Sequence, residues 1–154
     1  DEAWLWGGAA EAVAETIRVG INSTHDDARS SEMLAFGRDQ ILQRSEIQDV
    51  VSYVRSLSDQ DAAAKPAPDS VTAGKEIFAE HCVDCHGATA KGSIETGAPD
   101  LTDGFWIYGG DRDAIYRTVS DGRQGQMPGW EDRLSDLRRK VLTLYVLDLA
   151  GAAR

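Results

Sequence analysis

The chain has 154 residues, room for one compact domain or two very small ones, so a large multidomain enzyme is excluded. Its 26 acidic and 16 basic residues give a net charge of -10, which argues against nucleic-acid binding, built on clustered Lys and Arg, and favours a basic partner. Hydrophobic residues make up 42%, yet no apolar run reaches the roughly 20 residues of a membrane helix. Asp1 begins no basic, signal-like stretch. Membrane contact is therefore expected only through a segment outside these residues.

In chain order, residues 1–58 open with Trp4-Leu-Trp6-Gly7-Gly8, followed by a short helix-like stretch with Val13 and Ile17 four apart. Met33 comes next. Ile47, Val50, Val51, Val54 and Leu57 then recur at three- and four-residue spacing, predicting an amphipathic helix with Ser45 and Gln48 as its capping box. Residues 59–70, with Pro66 and Pro68 and no apolar period, read as a linker. Thr72–His81 predicts a helix with Gly74 and Phe78 on one face. A glycine inside a helix costs about 1 kcal/mol relative to alanine, and its presence predicts a close crossing, with the final helix carrying Tyr145 as the expected partner. Trp106-Ile-Tyr108-Gly109-Gly110 precedes a second short helix, with Ile115 and Val119 on its face, Asp111 as its cap and Gly122 at its end. Met127 follows in a Gly/Pro loop, and Val141, Leu142, Tyr145, Val146 and Leu149 mark a last helix behind Ser135.

The same order of features thus occurs twice: aromatic-x-aromatic-Gly-Gly, a short helix, a methionine and an amphipathic helix. Tyr53-Val54-x-x-Leu57 even matches Tyr145-Val146-x-x-Leu149, and Met33 and Met127 are the two methionines of the chain. This order predicts an internal duplication. The second copy has about 35 further residues ahead of its aromatic pair and the first has three, so the first copy reads as a C-terminal half that either packs on the second or has lost its front portion and its cofactor.

The two cysteines, Cys82 and Cys85, are followed at once by His86, forming one Cys-x-x-Cys-His (CVDCH). This is the attachment signature of a c-type haem. Two-residue spacing lets both thiols and the imidazole reach one macrocycle from a single turn. A thioredoxin-like dithiol would need a β-α-β setting, which the sequence lacks. A zinc site would need further ligands, for which His25 and His81 are the available histidines, and a simple disulfide is the remaining alternative. For the iron's sixth ligand Met127 is the expected donor, because Gly125-Gln-Met127-Pro128-Gly129-Trp130 fixes a loop able to present a thioether. His/Met ligation raises the reduction potential of an electron carrier.

From Ala73-Gly74 through CVDCH to Met127-Pro128 and the Tyr145 helix, the second copy resembles a class I cytochrome c. The resemblance implies an all-α cytochrome c fold, with the Pro99 carbonyl holding the second nitrogen of His86. Trp106, Tyr108, Arg123 and Trp130 then have two readings, as haem-pocket or propionate-neutralising residues or as ordinary packing. Taken with Thr16–His25 and the Met33 segment, the whole chain resembles the tandem dihaem cytochrome c subunit (subunit III) of cbb3-type cytochrome c oxidases. It departs from that family's pattern in lacking a first Cys-x-x-Cys-His and an upstream membrane helix, and in having Leu34 where a proline follows the axial methionine. Met33 would be the ligand of a first haem only by analogy.

The expectations are residues 1–58 as the C-terminal part of a first cytochrome c domain, 59–70 as linker and 71–154 as a complete cytochrome c domain. The resemblance implies one covalent haem c in this chain and a second in the intact subunit. It also implies electron transfer, not side-chain catalysis, from a donor cytochrome c toward the other subunits of a terminal oxidase, on the periplasmic side of the bacterial inner membrane. The alternatives are a haem enzyme or sensor with a displaceable sixth ligand, an independent cytochrome c, and a haem-free docking role for residues 1–58.

Overall fold

The computed structural model describes residues 3–58 and 66–152. Six helices follow in chain order: α1 (Ala10–Val19), α2 (Arg44–Leu57), α3 (Pro68–His81), α4 (Val83–His86), α5 (Arg112–Asp121) and α6 (Asp136–Ala152). Among the described residues the β-structure consists of isolated bridges, so the fold is all-α as expected.

The repeat appears as repeated geometry. α1 and α5 are both ten residues long, and each ends on a glycine with positive φ, 77° at Gly20 and 71° at Gly122. The Trp4 ring lies over Gly8 as the Trp106 ring lies over Gly110. α5 is capped as its sequence predicts: the Asp111 carboxylate accepts from the Asp113 and Ala114 amides at 3.0 and 2.9 Å.

Two element ends differ from the sequence reading. α2 begins one residue before Ser45, and its capping box is built by Gln43 and Glu46, whose carboxylate accepts from the Gln43 amide at 2.6 Å. A glutamate at the third helical position makes that reciprocal bond. α3 begins at Pro68, inside the expected linker, because proline at a first helical position gives up an amide that has no intrahelical partner anyway. Residues 59–65 of that linker lie outside the described residues.

The chain divides into two compact units. The first comprises Asp1–Ser31, Ile94–Ala98 and Gln124–Arg154; the second comprises Glu32–Ser93 and Pro99–Arg123. Each unit draws on both copies of the repeat.

In the second unit α2 packs on α3 and on α5. Its core is Phe36, Leu42, Ile47, Val50, Val51, Val54, Phe78, Ala90, Ile115 and Val119. The periodic face of α2 supplies four of these, with Ile47, Val50 and Val51 each 1% exposed. Gly74 is the point of closest approach, where a Cβ would collide with the Asp49 carbonyl and the Tyr53 side chain. The expected crossing partner of Gly74, the Tyr145 helix, is thus replaced by α2. The two candidate helices carry the same Tyr-Val-x-x-Leu string, so local sequence did not distinguish them.

In the first unit α1 packs on α6. The Trp130 amide donates to the carbonyls of Ile17 and Arg18 at 3.1 and 3.0 Å, closing the carboxyl end of α1. Around it Arg18 bonds Glu15, Asp27 and Glu131, while His25 Nε2 lies 2.7 Å from Glu131 Oε2. The face of α6 bearing Val141, Leu144, Tyr145 and Leu149 is exposed.

Candidate haem-binding site

The attachment motif sits where α3 ends. The Cys82 amide still donates to the Phe78 carbonyl at 2.9 Å, and the His86 amide to the Cys82 carbonyl at 2.9 Å, so residues 82–86 form one continuous turn. That turn holds two free thiols, with Cys82 half-buried and Cys85 exposed. Burial, with Cys85 adding to it, pushes the Cys82 thiol up to about 11. An attacking dithiol needs a depressed value, so the setting of Cys82 argues against redox exchange.

His86 is oriented from behind. Its Nδ1 lies 3.2 Å from the Pro99 carbonyl oxygen, which leaves Nε2 for a metal. Burial lowers its pKa, partly offset by that bond, so the ring is neutral, the form that ligates. Pro99 is itself fixed by its neighbours. Leu101 donates its amide to the Ala90 carbonyl at 2.8 Å, Asp100 accepts from the Thr102 amide and hydroxyl, and Lys91 pairs with Asp100 at 3.2 Å. The Phe78 ring is 6.4 Å from the imidazole.

Of the other residues singled out in the sequence, the second unit brings together Cys82, Cys85, His86, Pro99, Trp106, Tyr108, Arg123 and Met33. Met33, Cys82, Leu101 and Trp106 all pack against its core. The Arg123 guanidinium lies 3.9 Å from the centre of the Tyr108 ring and bonds the Thr118 hydroxyl. Met127 and Trp130 belong to the first unit, where the Arg133 guanidinium lies over the Trp130 ring at 5.5 Å. His81 sits edge-on to Phe36 with ring centres 6.3 Å apart.

The residues present fit a covalently attached haem c. Two thiols and a neutral imidazole come from one turn, the imidazole's second nitrogen is taken by a carbonyl, and Trp106 Nε1 is buried without a hydrogen-bond partner among the described residues. A buried N–H of that kind calls for an acceptor such as a carboxylate.

The comparisons with known proteins identify the family. The family model described as cytochrome c oxidase, cbb3-type, subunit III matches residues 69–146, from the start of α3 into α6. The chain belongs to that family. Among curated proteins it is 46% identical to the cbb3-type cytochrome c oxidase subunit FixP of a Bradyrhizobium species, over 98% of this chain and 51% of the relative. It is 46% identical to FixP of Azorhizobium caulinodans, over 98% of this chain and 50% of that protein. To subunit CcoP of Cereibacter sphaeroides the identity is 43%, over 98% and 51%. The chain thus spans about half the length of the curated relatives it matches.

In this subunit III family member the sequence did not reveal that each compact unit draws on both copies. The Met33 segment and the Arg18–His25–Glu131 cluster join residues about a hundred apart. The one available signal was the shared order of features in the two copies.

Proposed function

We propose that this chain is an electron carrier holding one haem c by thioether links from Cys82 and Cys85, with His86 as an axial ligand. The observation that carries this reading is the single turn bearing two thiols and an imidazole whose Nδ1 is engaged by the Pro99 carbonyl. When bound, the haem supplies an iron that alternates between ferrous and ferric states. The protein's part is to fix the imidazole against the Pro99 carbonyl and to keep water away with the core around Phe78 and Ala90. Trp106 Nε1 and the Arg123 guanidinium supply a donor and a charge for the propionates.

The relatives' names support a place in a cbb3-type oxidase, where the chain would pass electrons from a donor cytochrome c toward the other subunits. A haem attached by thioethers suits the periplasmic side of the bacterial inner membrane. Among the described residues no helix is long and apolar enough to cross a membrane.

Intact mass of the denatured polypeptide tests the reading, because denaturation removes any cofactor not covalently held. One haem in excess of the mass of these 154 residues is expected. No excess would return Cys82 and Cys85 to a dithiol or metal site and overturn the proposal.

A further inference from the structure

The Pro99 carbonyl that engages His86 is aimed by the residue after it. A carbonyl and the next amide share one planar peptide group, so whatever fixes Asp100 also fixes the direction in which Pro99 presents its oxygen. Asp100 is held through its own side chain. Its Oδ1 accepts from the Thr102 amide and from the Thr102 hydroxyl, both at 2.7 Å, and its Oδ2 lies 3.2 Å from Lys91 Nζ. Lys91 also donates to the Thr102 hydroxyl. Burial pushes the Asp100 carboxyl up, but the bonds from Thr102 and Lys91 outweigh it and hold the group below its ordinary 3.8.

The loop that carries Lys91 grips His86 as well. The Gly92 amide donates to the His86 carbonyl at 2.9 Å, and the Ala90 carbonyl receives the Leu101 amide at 2.8 Å. Residues 90–92 therefore brace the backbone of His86 against the segment bearing Pro99 from three successive positions. Ala90 is 1% exposed and has φ 57°. An alanine stays in left-handed backbone where its surroundings over-determine it, and such residues gather at functional sites. His86, Lys91, Pro99, Asp100 and Thr102 all belong to the second unit. The Lys91 side chain is 63% exposed, and an ion pair so open to water adds little stability. Its place beside the Pro99–Asp100 peptide suits it to orient that peptide instead.

From this brace we propose that Asp100, seconded by Lys91, is a positioning residue for His86: it aims the Pro99 carbonyl at Nδ1 and so sets the reduction potential of the haem. The proposal rests on the haem reading above and adds the residues that tune the iron without binding it. A hydrogen bond given by Nδ1 makes the imidazole a stronger donor through Nε2, and a stronger donor favours the ferric state. The brace therefore lowers the potential, and loosening it raises the potential. Lys91 and Asp100 carry opposite charges close together, so their fields largely cancel at a distance and the effect runs through the peptide plane.

The test uses the 154-residue chain made with a haem-attachment system, with the variants Asp100→Ala, Asp100→Asn and Lys91→Met, and with Asp111→Ala to weaken the fold at the α5 cap. Intact mass reports covalent haem, denaturant unfolding reports stability, redox titration reports the potential, and proton NMR of the ferrous protein reports the His86 Nδ1–H resonance. Every variant is expected to carry one haem. Asp100→Ala should raise the ferrous-to-ferric ratio by about three- to tenfold, the upper figure being about 59 mV for one electron, and move the resonance upfield as the bond weakens. Asp100→Asn keeps an oxygen for the Thr102 amide and should stay close to the parent. Lys91→Met should also shift the potential upward, though less, where mere loss of a positive charge would shift it downward. Asp111→Ala should lose stability with the potential unmoved. The parent's potential and resonance in Asp100→Ala overturn the proposal. So does an equal shift in Asp100→Asn and Asp100→Ala, which would make the effect one of charge, or a potential that follows stability across all four variants. Should Asp100→Ala fail to fold, a downward shift in Lys91→Met overturns it alone. If the parent chain carries no haem, the reading beneath the proposal fails with it.

Discussion

At the scale of single residues, the site depends on a few groups held in place by backbone. His86 is neutral because it is buried, and it is oriented because Pro99 presents a carbonyl, so its ligand role needs no neighbouring charge. Gly122 is set more tightly. Its left-handed backbone and the adjacent Met33 carbonyl both exclude a side chain. Gly122→Ala should therefore cost more than about 1 kcal/mol, read by denaturant unfolding. Asp111 shows a pH effect. Amide bonds from Ala114 and Asp113 hold its carboxyl below the ordinary value of 3.8. The stability it lends is thus present above that value and lost as pH falls through the lowered one. Asp111→Asn should make the unfolding midpoint less sensitive to pH across this acid range than in the parent chain, and an unchanged slope would show that the cap contributes nothing to it.

At the scale of elements, the contact that organises the haem unit is the crossing of α2 and α3. It was half legible in the sequence. Gly74 announced a close approach, and the periodic face of α2 announced burial, but two helices with one shared string competed for the glycine. α2 is joined to α3 by the stretch between Leu57 and Pro68, and it is α2 that lies against Gly74. Tyr145 of α6 remains exposed instead. Gly74→Ala should force the helices apart and cost about 1–3 kcal/mol, whereas Lys75→Ala, on the exposed side of the same turn, should be nearly neutral. Equal thermal or denaturant midpoints for the two variants would remove the crossing from the list of stabilising contacts. Helix ends were less legible than helix faces. Glu46 and Pro68 set the starts of α2 and α3 through caps that compete with near neighbours of similar chemistry.

At the scale of the molecule, the charge of -10 is a long-range feature that no single contact represents. Acidic surfaces steer basic partners and lose that advantage as salt shortens the screening distance to about 8 Å at physiological ionic strength. Electron transfer from a basic donor cytochrome should accordingly slow as ionic strength rises, measured as a second-order rate constant by stopped flow. A rate indifferent to salt would show that the acidic surface is not the docking face. The two compact units also alter how the repeat is understood. Duplication supplied two sets of similar parts, and the fold combined parts from different sets.

The sequence by itself determined the haem motif, the family, the all-α class, the α5 cap and the buried faces of α2 and α5. Each of these depends on residues close together in the chain, where spacing and side-chain chemistry act directly. Tertiary structure alone decided which helix meets Gly74 and which unit holds Trp130. The reason is physical: in a duplicated chain two segments offer nearly the same local energies to one site, and only the long-range hydrogen bonds and core contacts that each can complete separate them.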